Sequence, residues 1–270
     1  MAKKRRIGFL PGKIRKGVMA LKISAIIIAK NEEKKIGDSL KSVKWVDEII
    51  VIDNDSIDKT AQIARRYGAR VIPFKDGTYS SRKNKGAEEA KGEWLLYIDA
   101  DERVTTKLRG EIENRVLRNS AETVIYAIPR KNIILGRELR HGGWWPDYVK
   151  HLVRKNALKG WKGDLHEEPV FEGNLEYLKG ALVHLKHDNL SEMVEKTNDW
   201  SNIEAKLMFE AKHPPMNILR FSSAMFREFW LRMIKQMAFL DGSEGIIYAI
   251  YQVYSRFISY AKLWEMQIRK

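Results

Sequence analysis

The 270-residue chain contains no cysteine, which excludes disulfides and thiol chemistry and leaves a cytosolic setting open. No stretch reaches eighteen apolar residues without a charge, and this argues against a membrane-spanning helix. Acidic residues are the scarcer charge, 35 against 49 lysines and arginines, for a formal net charge of +14. That excess favours a polyanionic partner: nucleic acid, an anionic membrane face or a phosphorylated substrate. Neither G-x-G-x-x-G nor G-x-x-x-x-G-K-[ST] follows an early strand, so dinucleotide and P-loop readings weaken. RRM, KH and zinc-finger patterns are also missing, and nucleic acid becomes an unfavoured partner. No internal repeat is evident.

What is present begins with a basic arm, "MAKKRRIGFLPGKIRKGVMA" (1–20), with seven Lys or Arg and no acid. Pro11, Gly12 and Lys13 interrupt its apolar residues, so it does not read as a secretory signal. A disordered leader and attachment to anionic headgroups are the two readings left. Hydrophobic residues make up 44% of the chain, enough for a real core.

"LKISAIIIAK" (21–30) is a nearly continuous apolar run that reads as a buried parallel strand. Ile36, Leu40 and Val43 then recur at helical spacing, with Asn31 placed to cap. "DEIIVIDNDS" (47–56), "ARVIPF" (69–74) and "EWLLYI" (93–98) are further strands. A helix opened by Asp58 or Ser56 and stopped at Gly68, and another over 80–91, separate them. Such a βαβ series predicts a mostly parallel sheet in a three-layer αβα sandwich. Beyond Val104 come an amphipathic helix, a hairpin-like segment and short aromatic, glycine-rich stretches. From Asn189 the pattern is helical, broken at Pro214 and Pro215, with a turn at Asp241–Gly242.

Ligands of open parallel sheets bind beyond the C-terminal ends of the strands. Asn31, Glu32 and Glu33 follow the first strand, Asp53 and Asp55 the second, Asp99, Asp101 and Glu102 the fourth. A carboxylate-rich edge repels naked phosphate unless a divalent cation intervenes; hard oxygen ligands suit Mg²⁺ or Mn²⁺, which can bridge phosphate oxygens. Asp99 and Asp101, in Asp-Ala-Asp, are the expected metal pair.

The segments "IIIAKNEE", "VIDNDSIDKT", "SRKNKGAEEAKGEWLLYIDADERV", "GDLHEE", "LVHLKHDNLSEMVEKTNDWSNIEA" and "FLDGSEG" run in order from about residue 22 to 245. Together they resemble the family 2 inverting glycosyltransferases of the GT-A fold, and among these the bacterial lipopolysaccharide-core glucosyltransferase branch. The resemblance implies a Rossmann-like GT-A domain with a C-terminal helical extension. It divides the chain into the arm 1–20, a nucleotide-sugar-binding half 21–104, an acceptor-binding half 105–188 and a helical region 189–270. That last region would serve as a membrane-interface or oligomer surface.

Residue by residue, the resemblance implies that Asn31 and Glu33 grip the nucleoside and that Asp53 accepts from a base N–H. Arg82 or Lys83 would oppose the donor diphosphate, with Asn84 holding the loop. Asp101 would be the more direct metal ligand, and Glu102 would face the acceptor or pair with Arg103. Glu167 is the expected catalytic base, with Asp164 the alternative. His166 would support the base or the metal side, or simply fix its loop. Trp144, Trp145 and Asp147 would shape the sugar site, and His184 would orient a phosphate or cap the core. Asp58 is assigned to structure.

The expected activity is metal-dependent, inverting transfer of a hexose from a nucleotide-diphospho-sugar, a UDP-sugar, to an anionic saccharide or glycolipid acceptor in cell-envelope glycan synthesis. Its expected place is the cytoplasm, peripheral on the inner face of the cytoplasmic membrane. Two alternatives stand beside it: a non-catalytic nucleic-acid- or membrane-binding protein, and a sugar nucleotidyltransferase. The latter should carry glycines after the first strand, which "AKNEEKK" lacks.

Overall fold

A computed structural model describes residues 23–75, 77–117, 122–163 and 167–269. The basic arm 1–20, Asp164 and His166 lie outside the described residues.

The isoleucine-rich run forms β1 (Ile23–Ala29), extended because β-branched side chains pack well on both faces of a buried strand. Its one polar interior residue, Ser24, is satisfied on both sides: it donates to Glu48 Oε2 at 2.7 Å and accepts from Gly92 N–H at 2.8 Å. There follow α1 (Ile36–Ser42), β2 (Glu48–Asp53), α2 (Thr60–Arg66), β3 (Arg70–Pro73), α3 (Tyr79–Glu89) and β4 (Trp94–Asp99). These strands lie in the order β3-β2-β1-β4, all parallel, so their C-terminal ends share one edge. On one face Ile27, Val51, Leu96 and Ile98 pack with Ile36 and Leu40 of α1 and Ala64 of α2. On the other, Ile26, Ile50, Leu95 and Tyr97 meet α3. Helix α3 rides close over β1: a Cβ on Gly86 would fall 2.4 Å from Ile26 Cγ2.

The second half adds β5 (Glu102–Val104), α4 (Thr106–Leu117), β6 (Thr123–Ile134), β7 (Arg137–Glu138), β8 (Asp147–Arg154), β9 (Leu158–Lys162), β10 (Glu168–Phe171), β11 (Asn174–Tyr177) and β12 (Leu182–His187). Here the sheet becomes mixed. It continues β4-β8-β6-β12-β5, with β8 antiparallel to both neighbours, while β9 and β10 form a separate hairpin. Parallel neighbours need long crossovers, and the connections in this half are mostly too short for one. The expected hairpin is β6–β7, closed by Leu135 and Gly136, both at positive φ (51° and 84°). With α1, α2 and α4 on one face and α3 on the other, this is the αβα sandwich of a GT-A-like fold.

The helical extension comprises α5 (Leu190–Glu210), α6 (Ile218–Phe229) and α7 (Gly242–Ile268). Between α6 and α7 run a π-helical segment, Trp230–Lys235, and a 3₁₀ turn, Ala238–Asp241. Asp241–Gly242 therefore opens α7 rather than making the expected simple turn, and the chain breaks earlier, at Met237 with φ 51°. The extension docks on the sheet through Ile134, Leu139, Met193 and Tyr248. His187 is buried beside this seam against the rings of Tyr248 and Tyr251. Burial, aided by Lys186, pushes its pKa down to about 3, so it is a neutral packing residue. Among the described residues no helix is long and apolar enough to cross a membrane.

Candidate active site

The loops after β1 and β2 are zipped together. Asn31 N–H donates to Ser56 Oγ (3.0 Å) and Asn31 Oδ1 accepts from Ile57 N–H (2.9 Å). Glu32 N–H reaches Thr60 Oγ1 (2.7 Å), Glu33 N–H reaches Asp58 Oδ2 (3.0 Å), and Glu33 Oε2 accepts from Lys59 N–H (3.1 Å). Asn31, with φ 54°, thus bridges two loops and does not cap α1, which starts at Ile36. Glu33 likewise uses one carboxylate oxygen on the entry to α2. Asp58 accepts from Thr60 N–H at 2.9 Å as well, a structural use. Burial, followed by the nearby Asp101 charge, pushes the Glu32 carboxyl up to about 7.

Asp53 ends β2 with 8% of its surface exposed, and its Oδ1 is buried without a hydrogen-bond partner. An orphaned acceptor at the ligand-binding edge of a parallel sheet calls for an incoming donor.

Helix α3 starts at Thr78, whose Oγ1 accepts from Ser81 N–H at 3.2 Å. Its first turns carry the basic candidates, and the structure separates them. Arg82 donates to Gly77 O (2.7 Å) and lies over the Tyr79 ring. Lys83 points inward: its ammonium sits 4.2 Å from the Trp161 ring centroid and 2.7 Å from Glu167 Oε1, with the side chain 4% exposed. Asn84 clasps the Trp161 backbone from both sides, donating to its carbonyl (3.1 Å) and accepting its N–H (2.7 Å). Helix α3 is thereby tied to β9 just ahead of the segment that carries Glu167.

The three carboxylates after Ile98 have three environments. Glu102 is fully buried, accepts Asp99 N–H at 3.0 Å, and has Arg130 Nη1 and His151 Nδ1 each at 3.5 Å. Burial opposes its ionisation, but His151 and Arg130 outweigh this and hold its carboxyl far below the usual range. It does not pair with Arg103, whose guanidinium donates to the carbonyls of Lys35, Ala100 and Glu102. Asp99 lines the cleft, and burial plus the Glu102 charge raise its pKa. Asp101 faces His184 Nε2 at 3.5 Å; although burial opposes its ionisation, the imidazole keeps its pKa low.

His184 is oriented by a chain of hydrogen bonds. Asn132 Nδ2 donates to Trp144 O (3.2 Å) and Asp147 Oδ2 (3.0 Å), so its Oδ1 is the acceptor for His184 Nδ1 at 2.7 Å. His184 Nε2 is thereby turned toward the Asp101 carboxylate, 3.5 Å away. Asp99 and Asp101, the two carboxylates of the Asp-Ala-Asp turn, are the hard oxygen donors a divalent cation could use here. Among the described residues no group of three or more His, Cys, Asp or Glu is placed to hold a metal ion.

Strand register explains the assembly. Glu102 and Asn132 both pair with His184, and Arg130 pairs with Asp147, so alternate residues of β5, β12, β6 and β8 present one polar face. A cleft of about 360 Å³ opens there, lined by Lys83, Asp99, Arg130, Asp147, His151 and Glu167 among others. Arg130 holds Asp147 Oδ2 at 2.7 Å. Trp144 packs on Tyr248 (4.9 Å between centroids), while Trp145, joined to Pro146 by a cis bond, is 40% exposed. Asp241, buried at the start of α7, accepts the N–H groups of Arg140 (2.9 Å) and His141 (2.7 Å) and holds the loop that carries Trp144.

Sequence reading missed Arg130, Asn132, His151 and Asp241. The polar alternation in "PRKNI" was the available signal for the first two. The other two declare themselves only through long-range partners.

The profile described as Glycosyl transferase family 2 matches residues 24–168. An "Uncharacterized glycosyltransferase" of Rickettsia bellii (strain RML369-C) is 29% identical over 264 residues, covering 93% of this chain and 89% of that protein. "Lipopolysaccharide core biosynthesis glycosyltransferase LpsC" of Rhizobium meliloti (strain 1021) is 27% identical over 264 residues, 93% of this chain and 94% of that one. Among solved structures, S. aureus TarS 1-349 in complex with UDP-GlcNAc aligns over 92% of each chain with a TM-score of 0.47 at 15% identity. The family match takes in more than half of the chain, from β1 through Asp53, Lys83, Asp99 and Asp101 to Glu167, and the protein belongs to glycosyl transferase family 2.

Proposed function

We propose that the protein transfers a hexose, with inversion, from a UDP-sugar to a saccharide or glycolipid acceptor of the bacterial envelope. The observation that carries this reading is the cleft in which buried Lys83 and Asp99 face Glu167: a counter-charge for a diphosphate, a metal-capable carboxylate and a base share one wall. Similarity to a lipopolysaccharide-core glycosyltransferase supports the envelope assignment and the branch.

In this scheme Asp53 Oδ1 accepts the N–H of the base, and Lys83 opposes the diphosphate, with Arg82 the alternative at the helix entry. Asp99 and Asp101 would hold Mg²⁺ or Mn²⁺; such an ion stabilises negative charge on a departing diphosphate as a Lewis acid. Glu167 takes the proton of the acceptor hydroxyl as its oxygen attacks the anomeric carbon opposite the leaving group. The new glycosidic bond forms as the bond to the diphosphate breaks. Asp164 is the alternative base, and His166 would support that segment. Glu33, beside the nucleoside loop, and Asn31 act by holding the loops, while Asn84 fixes α3 and Trp145 stands where a sugar face can stack.

A panel of nucleotide sugars tests this by release of free nucleoside diphosphate. Release should require a divalent cation, stop with chelator and be lost in Asp101→Ala. Asp53→Ala should raise the donor KM about tenfold, the scale of one lost hydrogen bond at a buried acceptor. Release that is indifferent to chelator would remove the metal from the scheme.

The same reading places the enzyme on an anionic membrane face through α6. Leu219, Phe226 and Trp230 recur at i, i+7 and i+11 on one stripe and are 77%, 65% and 52% exposed. Arg220 and Arg227 flank them, the arrangement suited to an interface in which aromatics enter the acyl boundary and guanidinium groups meet headgroups. Vesicles with anionic lipid should co-sediment the protein, and Phe226→Glu with Trp230→Glu should cut the bound fraction several-fold. Equal binding to neutral vesicles would count against the charge component.

A further inference from the structure

Lys186 is left without a counter-ion where β12 meets Trp144, while the neighbouring cations are paired. It lies on β12, two residues beyond His184, where the pairing with β6 shifts register between Leu185 and His187. Its ammonium is half-buried, 4.5 Å from the centroid of the Trp144 ring. Among the described residues it makes no ion pair and no hydrogen bond. By contrast, Arg130 is held by Asp147 and Glu102, and Lys83 by Glu167. Arg232, whose guanidinium lies 5.1 Å from the same Trp144 ring, is paired with Glu228 (2.9 Å) and Gly142 O (2.9 Å).

An ammonium withdrawn from water and left unpaired is costly. Arg130 and Arg232 add repulsion, and Asp147 and Asp101 attract it only from beyond contact. Folding alone does not account for keeping a cation here, and an apolar residue on the indole would pack at less cost. A ligand that brings negative charge does account for it.

We propose that Lys186, seated on Trp144, binds an anionic substituent, a carboxylate or a phosphate, on the acceptor sugar. This deepens the glycosyltransferase reading and rests on it for the word acceptor. The indole holds the ammonium in place beside the Arg232 guanidinium, so that a charged group on a bound sugar would meet two cations. Arg232 comes from the helical extension, so the subsite joins the catalytic sheet to the extension and gives the latter a part in recognition.

Equilibrium binding to the full-length protein tests the assignment with glucuronate, glucose 6-phosphate and glucose as probes and UDP with Mn²⁺ as reference. Glucuronate, glucose 6-phosphate or both should bind at least tenfold more tightly than glucose, and whichever is the tighter identifies the carboxylate or the phosphate as the group recognised. Lys186→Met should abolish that preference, Lys186→Arg should keep part of it, and both should bind UDP as the parent does. Circular dichroism of each variant confirms that the fold is retained. Equal binding of charged and neutral sugars by the parent would overturn the proposal, as would loss of UDP binding in Lys186→Met, which would assign the cation to the donor. Should UDP fail to bind the parent at all, the donor reading fails while the probe comparison still decides whether Lys186 selects anionic sugars.

Discussion

Glu102→Ala is expected to lower the free energy of unfolding by roughly 3–5 kcal/mol, the scale for breaking a buried ion pair from one side. Its carboxylate is inaccessible to water and is the shared partner of Arg130 Nη1, His151 Nδ1 and the Asp99 N–H. Removing it leaves a guanidinium in the sheet with only Asp147 opposite, frees a backbone donor, and opens a cavity that the rigid β4–β5 turn cannot fill. Glu102→Gln keeps the shape and an acceptor oxygen, so its loss should be smaller. Urea denaturation at pH 7 separates the two by their midpoints at equal m-values. The acid limb carries a second sign. The folded-state pKa of Glu102 is depressed, so its contribution is full above the unfolded carboxylate value and is lost as pH falls below it. Glu102→Gln should therefore be less sensitive than the parent to acid below about pH 4.5. A parent and a Glu102→Ala variant of equal stability would show that Glu102 is not the anchor of this network.

That network marks the limit of what the sequence displays. β1, β2 and β4 are visible as apolar runs ending in polar residues, and the ends of those runs place Asp53 and Asp99 at one edge. Asp99, Asp101 and Glu102 cannot be told apart in a linear reading, because the tight turn between β4 and β5 decides which carboxylate points inward. The partners of Glu102 come from β6 and β8, and no local pattern announces them. Asn31 has the composition of a helix cap, yet a bridge to the Ser56–Ile57 loop outcompetes the local option. The π-helical segment at Trp230–Lys235 also lacks a signal, since neither Gly nor Pro marks the break at Met237. The pairing of Lys83 with Glu167 was equally hidden: each was a candidate for a different half of the site.

Because of that pairing, Glu167→Gln and Lys83→Met should differ in kind. In Glu167→Gln the amide cannot take the acceptor proton, so kcat for transfer should fall by about 10²–10⁴, the usual contribution of a positioned general base. Its donor KM should stay within about threefold, since the lost function belongs to the transition state. Lys83→Met removes the ammonium packed on Trp161 and should raise donor KM at least tenfold, because a diphosphate then meets Asp99 with less opposing charge. It should lower kcat as well, since Glu167 loses the 2.7 Å contact that fixes its carboxylate in the cleft. The double variant should fall short of the product of the single effects, as expected for groups in direct contact. Steady-state kinetics with the donor identified by diphosphate release gives all four values. Multiplicative effects would show that the contact carries no function. Full activity in Glu167→Gln with loss in Asp164→Ala would move the base to Asp164 and leave Glu167 as the residue that holds Lys83 in place.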